Sequence, residues 1–118
     1  MRHRSKKNLK MNWRDANHRD AVLRNLASSL FVHGSIATTH KRARAVTPLV
    51  HGLIRVAQEK NEMNTIRALK ASLYTESASR AAMDFAKNTK KTSGFTRVTP
   101  LKYRDGDASL LVTLELIA

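Results

Sequence analysis

Apolar residues recur at three- and four-residue spacing as far as Phe85, and from Phe95 onward they alternate. A change of period from 3.6 to 2 within one chain orders its parts: amphipathic helices first, strands last. With 118 residues, 42% of them apolar, such a chain buries roughly two-thirds of its unfolded surface. That supports one compact domain without covalent staples. There is no cysteine, so disulfides, a thiol nucleophile and thiolate zinc sites are excluded, and a reducing compartment suits the chain.

The elements follow from the pattern. Asn17 reads as the cap of a first helix, with Asp20 three residues on as a weak capping box. Val22, Leu23, Leu26, Ala27, Leu30 and Phe31 form its apolar stripe, Gly34 ends it, and Arg19, Arg24 and Asn25 fall on the other face. Ser35 to Thr39 is short, β-branched and bounded by glycine, as in an edge strand or extended link. Thr39 is placed to cap a second helix from His40 to about Lys60, whose stripe is Val46, Leu49, Val50, Leu53, Ile54 and Ala57. Pro48 removes one hydrogen bond and crowds the carbonyl four residues back, so a kink or fresh start is expected near Thr47, just after Lys41, Arg42 and Arg44. Two shorter helices use Met63, Ile66, Leu69 and Leu73, then Ala78, Ala81, Ala82 and Phe85 behind a Thr75 cap. After a polar loop over 87–94, Phe95, Arg97, Thr99 and Leu101 share one face of a strand, and Leu110, Val112, Leu114 and Leu116 follow in another. Asp105 and Gly106 supply the turn between them.

Charge indicates what the domain meets. Lys and Arg number 22 against 9 Asp and Glu, a net charge of +13, of which +6 falls in residues 1–24, +4 in 25–60 and +3 in 61–118. Such a surface repels itself unless a polyanion supplies the missing charge, and nucleic acid is the obvious one. Residues 1–15 carry Arg2, Arg4, Lys6, Lys7, Lys10 and Arg14 with no helical stripe. They read as a basic arm that orders on its partner, ahead of a single globular domain over 16–118. An anionic membrane would call for a basic helix with a bulky apolar face, whereas residues 2–14 offer only Leu9, Met11 and Trp13. No apolar run approaches the roughly 18 residues of a membrane span, and the opening Met1-Arg2-His3-Arg4 leads into charge rather than a signal core, so a soluble, unprocessed protein is expected.

Catalysis has no evident seat. Asp105, Asp107 and Glu115 are the carboxylates a magnesium-dependent nuclease would use, but Asp105-Gly106-Asp107 is ordinary turn chemistry and the calcium-loop pattern is missing. His3, His18, His33, His40 and His51 show no metal-binding spacing, and four glycines form no phosphate loop. The expectation is no enzyme, no cofactor, no metal and no small-molecule substrate. Trp13 can stack on a base or anchor the arm to the body, and the usual burial of indole favours the anchor. Leu110 to Ile117 offers an apolar strand edge through which two copies could pair. Charge alone does not separate RNA from DNA, so a small DNA-binding nucleoid-type protein is the alternative reading.

The ordered motifs Met1-Arg2-His3-Arg4, His18-Arg19, Arg24-Asn25-Leu26, Ser29-Leu30, His33, Ile36-Ala37-Thr38-Thr39, Gly94-Phe95-Thr96-Arg97-Val98, Arg104-Asp105-Gly106-Asp107-Ala108 and Glu115-Leu116 run nearly end to end. In that order and spacing the chain resembles the bacterial large-ribosomal-subunit protein seventeen family. Lys6-Lys7 and Ala16-Asn17 depart from the family pattern, the arm is about two residues longer, Lys41-Arg42-Ala43-Arg44-Ala45 lacks the family's common glutamate, and Asn61 to Thr92 agrees by pattern only. The resemblance implies an α/β (α+β) fold, with helices on a small mixed three-stranded sheet. It implies a structural, non-enzymatic role in the cytoplasmic ribosome, touching large-subunit ribosomal RNA and neighbouring ribosomal proteins near the peptide exit side. By motif match Arg2, His3 and Arg4 would belong to an RNA-bound arm, with His18, Arg19, Arg24 and Asn25 on the first helix and Arg97 and Arg104 near the sheet. Beside that resemblance, the makeup of the arm itself adds Lys6, Lys7, Lys10, Trp13 and Arg14, and the basic start of the second helix adds Lys41, Arg42 and Arg44, to the expected RNA-binding set.

Overall fold

The computed structural model describes residues 16–59 and 61–118. The element order is α1 (Ala16–His33), β1 (Ser35–Thr39), α2 (His40–Glu59), α3 (Glu62–Ser72), α4 (Glu76–Asn88), β2 (Thr96–Tyr103) and β3 (Leu110–Leu116). The arm residues, including Trp13, lie outside the described part.

Local chemistry sets the boundaries. Gly34 ends α1 with φ of 81°, a conformation open to glycine at no steric cost, while its N–H reaches the Leu30 carbonyl at 2.8 Å. The chain is thereby turned straight into β1. Asn61 caps α3 by accepting the Asn64 N–H at 2.9 Å, and Thr75 caps α4 by accepting the Ala78 N–H at 3.1 Å. Each satisfies one of the amides a helix start leaves without a partner. Asn17 is not a cap, because it already lies inside α1. Pro48 does not divide α2, which is one 20-residue helix. It removes only the N–H that would meet the Arg44 carbonyl, and the apolar stripe on either side of it is buried against the rest of the core.

The sheet order is β1-β3-β2, with β3 in the centre. Both pairings are antiparallel, so the sheet is not the mixed one expected. The reason lies in the connections: β2 and β3 are joined by a short turn, and β1 returns to β3 only after the whole helical segment has passed. A central β3 also leaves no free edge at Leu110–Leu116, so this strand is not the edge through which two copies could have paired. The pairs Ser35↔Glu115, Thr39↔Leu111, Arg97↔Glu115 and Thr99↔Thr113 fix the register. It shifts between Pro100 and Lys102, and both the bulge and the proline are tolerated because β2 is an edge strand.

One face of this sheet meets helices. α1 and α2 lie against β1 and β3, and α4 packs on both helices. The core holds Leu30, Val46, Val50, Ile54, Leu69, Phe95, Val112 and Leu114, with Ala27, Ala43, Ala78 and Ala82 where helices approach closely. On β2 the expected common face of Phe95, Arg97, Thr99 and Leu101 is not formed. Phe95 precedes the strand and is fully buried, while Arg97, Thr99 and Leu101 are exposed. The register puts Val98 beside Leu114 on the helix side and Arg97 beside Glu115 on the open side.

Phe95 joins the layers. Its ring meets His51 of α2 edge-on at 5.5 Å and Phe85 of α4 at 6.4 Å, and its carbonyl accepts the Ile117 N–H at 2.7 Å. Replacing Phe95 with Ala should lower unfolding free energy by about 3–5 kcal/mol, read from urea unfolding followed by circular dichroism. His51 Nε2 lies 3.0 Å from Thr96 Oγ1, and burial lowers the imidazole pKa from its ordinary value of 6.5. Below that value the unfolded chain takes up a proton that the folded ring resists, so stability is retained above pH 6.5 and falls as pH drops through the lowered pKa. His51→Gln should flatten that part of the pH dependence of the urea midpoint, and a slope equal to that of the wild type would refute the assignment.

Candidate nucleic-acid interface

The first turns of α1 and α2 contain no acidic residue, although carboxylates are the side chains that best suit the positive end of a helix. His18 and Arg19 stand at the start of α1, and His40, Lys41 and Arg42 open α2, with Arg44 one turn on. Cations at these ends oppose the helix dipole by about 0.3–1 kcal/mol each at exposed positions, and the first-turn amides point outward. An anion laid across such an end satisfies both.

β1 feeds α2 without a loop, which fixes the α2 start at one end of the sheet. Thr39, His40 and Lys41 line a cleft of about 310 Å³ with Ser109 and Leu110, so the beginning of α2 and the β2–β3 turn form a common surface. Lys41 lies on that surface, and Arg42 and Arg44 are exposed on the same first turns of α2. Neither Lys41 nor Arg44 has a carboxylate partner among the described residues.

Other predicted site residues are engaged within the chain. Arg19 Nε lies 3.9 Å from Asp20. Arg24 Nε donates to the Ser72 carbonyl at 3.2 Å, and its guanidinium sits 4.3 Å above the Tyr74 ring, so this side chain ties α1 to the α3–α4 connection. Asn25 is exposed on the same helix. Arg97 meets Glu115 at 3.4 Å across the strands. Arg104 clasps Asp107 through two bonds of 2.9 and 2.6 Å. That guanidinium, with the Ser109 N–H, holds the Asp107 carboxyl well below the usual carboxylate range. The pair closes the turn together with the Ala108 N–H, which donates to the Arg104 carbonyl at 2.9 Å.

These bonds also engage two of the three carboxylates, Asp105, Asp107 and Glu115, that a nuclease site would need. Asp107 is committed to Arg104 at the turn, Glu115 lies near the far end of β3 beside Arg97, and among the described residues no three His, Asp or Glu side chains gather as metal ligands. Lys102 was overlooked in the sequence. The register puts it, like Arg97, on the sheet face away from the helices, opposite Leu111, and the bulge beside it breaks the alternation that would have signalled this. Among the described residues no helix is long and apolar enough to cross a membrane.

The fold and surface define a small basic α+β protein with cations at the starts of two helices. Comparison with known proteins makes the class specific. The family model for ribosomal protein L17 matches residues 22–117. The large ribosomal subunit protein bL17 of Chloroflexus aurantiacus is 39% identical over 119 residues, covering 99% of this chain and all of the relative. That of Petrotoga mobilis is 38% identical, covering 99% of this chain and 97% of the relative, and that of Sulfurimonas denitrificans is 35% identical, covering 88% and 90%. The chain belongs to the ribosomal protein L17 family, and it is a structural ribosomal protein rather than an enzyme. The family match includes the segment from Asn61 to Thr92 that agreed only in pattern.

Proposed function

We propose that this protein is a constituent of the cytoplasmic large ribosomal subunit that binds ribosomal RNA through a basic arm and the starts of its first two helices. Residues 1–15 are the arm, and residues 16–118 form the single folded domain that positions it. The carrying observation is the α2 start, where His40, Lys41, Arg42 and Arg44 stand at a helix end with no acidic residue in its first turn. Arg2, Arg4, Lys6, Lys7, Lys10, Arg14 and Arg19 extend the same charge along the chain ahead of it, with His3, Trp13, His18 and Asn25 between them. Lys and Arg displace counterions from phosphates, which supplies affinity, while the shape of the domain supplies placement. An arm reaches between RNA helices where a folded domain does not fit, and A-form RNA is read by shape and backbone rather than by its deep groove. Neighbouring large-subunit proteins and a seat near the peptide exit side complete the proposal, supported by family membership alone.

With about six to ten phosphate contacts, affinity for large-subunit ribosomal RNA should fall roughly a thousandfold or more between 50 and 200 mM salt, somewhat less where the RNA is single-stranded. Deleting residues 1–14 should weaken binding and flatten that salt dependence, measured by filter binding. An unchanged affinity and slope would show that the arm does not hold the RNA. Preference for duplex DNA in direct competition would put the DNA-binding reading in its place.

A further inference from the structure

A second basic surface lies at the opposite end of α2. Between the last turns of α2 and the loop that follows α4 is a groove of about 600 Å³, lined by Arg55, Lys87, Lys90 and Lys91 against one carboxylate, Glu59. Resting on the RNA-binding reading above, we propose that this groove takes the backbone of a second RNA segment, so that one protein joins two parts of the RNA. Lys41 and Arg55 are separated by fourteen residues of continuous helix, about 20 Å along its axis, so the two basic surfaces do not share a phosphate.

The groove is held in shape by the chain itself. Gln58 Nε2 donates to the Lys91 carbonyl at 3.0 Å, and the Lys91 N–H donates to Thr89 Oγ1 at 3.3 Å. Thr89 is buried, and its own N–H donates to the Phe85 carbonyl at 3.0 Å. The backbone carrying Lys90 and Lys91 is therefore fastened to the end of α2. The helix dipole accounts for Lys87, which lies in the last turn of α4 and also approaches Glu62 at 3.8 Å. It does not account for Lys90 and Lys91, which lie beyond the helix and have no carboxylate partner among the described residues. Arg55 keeps only an exposed contact of 3.5 Å with Glu59, of the kind that contributes little.

The lining also indicates the partner. Apart from the cations and Glu59 it consists of Gln58, Thr89, Thr92 and the small side chains of Ala57 and Ala86. A protein partner is anchored by large aromatic or aliphatic contacts, which this groove does not offer. Phosphates require only cations and polar donors.

Because the chain has no cysteine, single-cysteine variants give unique attachment points for an iron chelate that cuts nearby RNA by hydroxyl radicals. Large subunits assembled with full-length Lys91→Cys or Lys41→Cys protein would be probed in parallel. Both positions are exposed, so neither change disturbs the core. The proposal predicts strong cuts in ribosomal RNA from Lys91→Cys, at a segment different from that cut from Lys41→Cys. Cuts from both positions within one segment would overturn the joining of two segments. Cuts from Lys41→Cys with none in RNA from Lys91→Cys, or cleavage there of a neighbouring protein instead, would overturn the groove and leave the general RNA-binding reading standing. Silence from both positions would overturn that reading as well.

Discussion

Phe95 stands one residue ahead of β2, and burial of its ring holds the helices to the sheet. The ring lies between His51 on α2 and Phe85 on α4, while the main chain of the same residue extends the β2–β3 ladder through Ile117. Much of the remaining helix packing uses alanine, with Ala27, Ala43, Ala78 and Ala82 all fully buried. Small side chains let helices approach closely but remove little apolar surface from water individually. The large residues Phe95, Leu30, Ile54, Leu69 and Leu114 therefore carry a disproportionate share of the hydrophobic stabilisation. A core concentrated in so few side chains leaves long stretches of every helix available for charge.

That charge is arranged unevenly. Asp20, Glu59, Glu62, Glu76, Asp107 and Glu115 each meet an arginine or lysine of the same domain. Exposed pairs of this kind contribute on the order of 0–1 kcal/mol; the tightest of them, Arg104–Asp107, has the local task of closing the β2–β3 turn. The excess cations gather instead at the ends of α2 and along the chain before α1. With Lys41, Arg42 and Arg44 at its start and Arg55 beside Lys90 and Lys91 toward its far end, α2 separates two electropositive surfaces by its own length, and the domain serves as the spacer between them.

Most of the architecture was legible because it rests on local rules. The change of apolar period located four helices and two of the strands, Gly34 marked the first helix end, and Thr75 capped α4 as its sequence context suggested. What escaped depends on tertiary partners. Pro48 suggests a kink or a fresh start, yet α2 runs as one helix through it with its buried stripe continuing on either side. The central place of β3 follows from pairing between segments more than seventy residues apart, so no local pattern shows it. Phe95 leaves the expected face of β2 because it precedes the strand and turns into the core, and the bulge between Pro100 and Lys102 shifts the alternation only beyond that point, hiding the side on which Lys102 falls. At the candidate interface, the cations at both helix starts were legible in the sequence, whereas the engagements of other basic residues were not: Arg24 against Tyr74, Arg97 on Glu115 and Arg104 on Asp107. Pairing of that kind is decided by which strands and helices become neighbours.

The most direct test of the account is gradient sedimentation of tagged full-length protein from its native host, after a salt wash that strips loosely held basic proteins. Stoichiometric retention in the large-subunit fraction is the predicted result, because many simultaneous phosphate contacts within a folded particle resist such a wash. Release into the soluble fractions, or co-sedimentation with DNA, would contradict it.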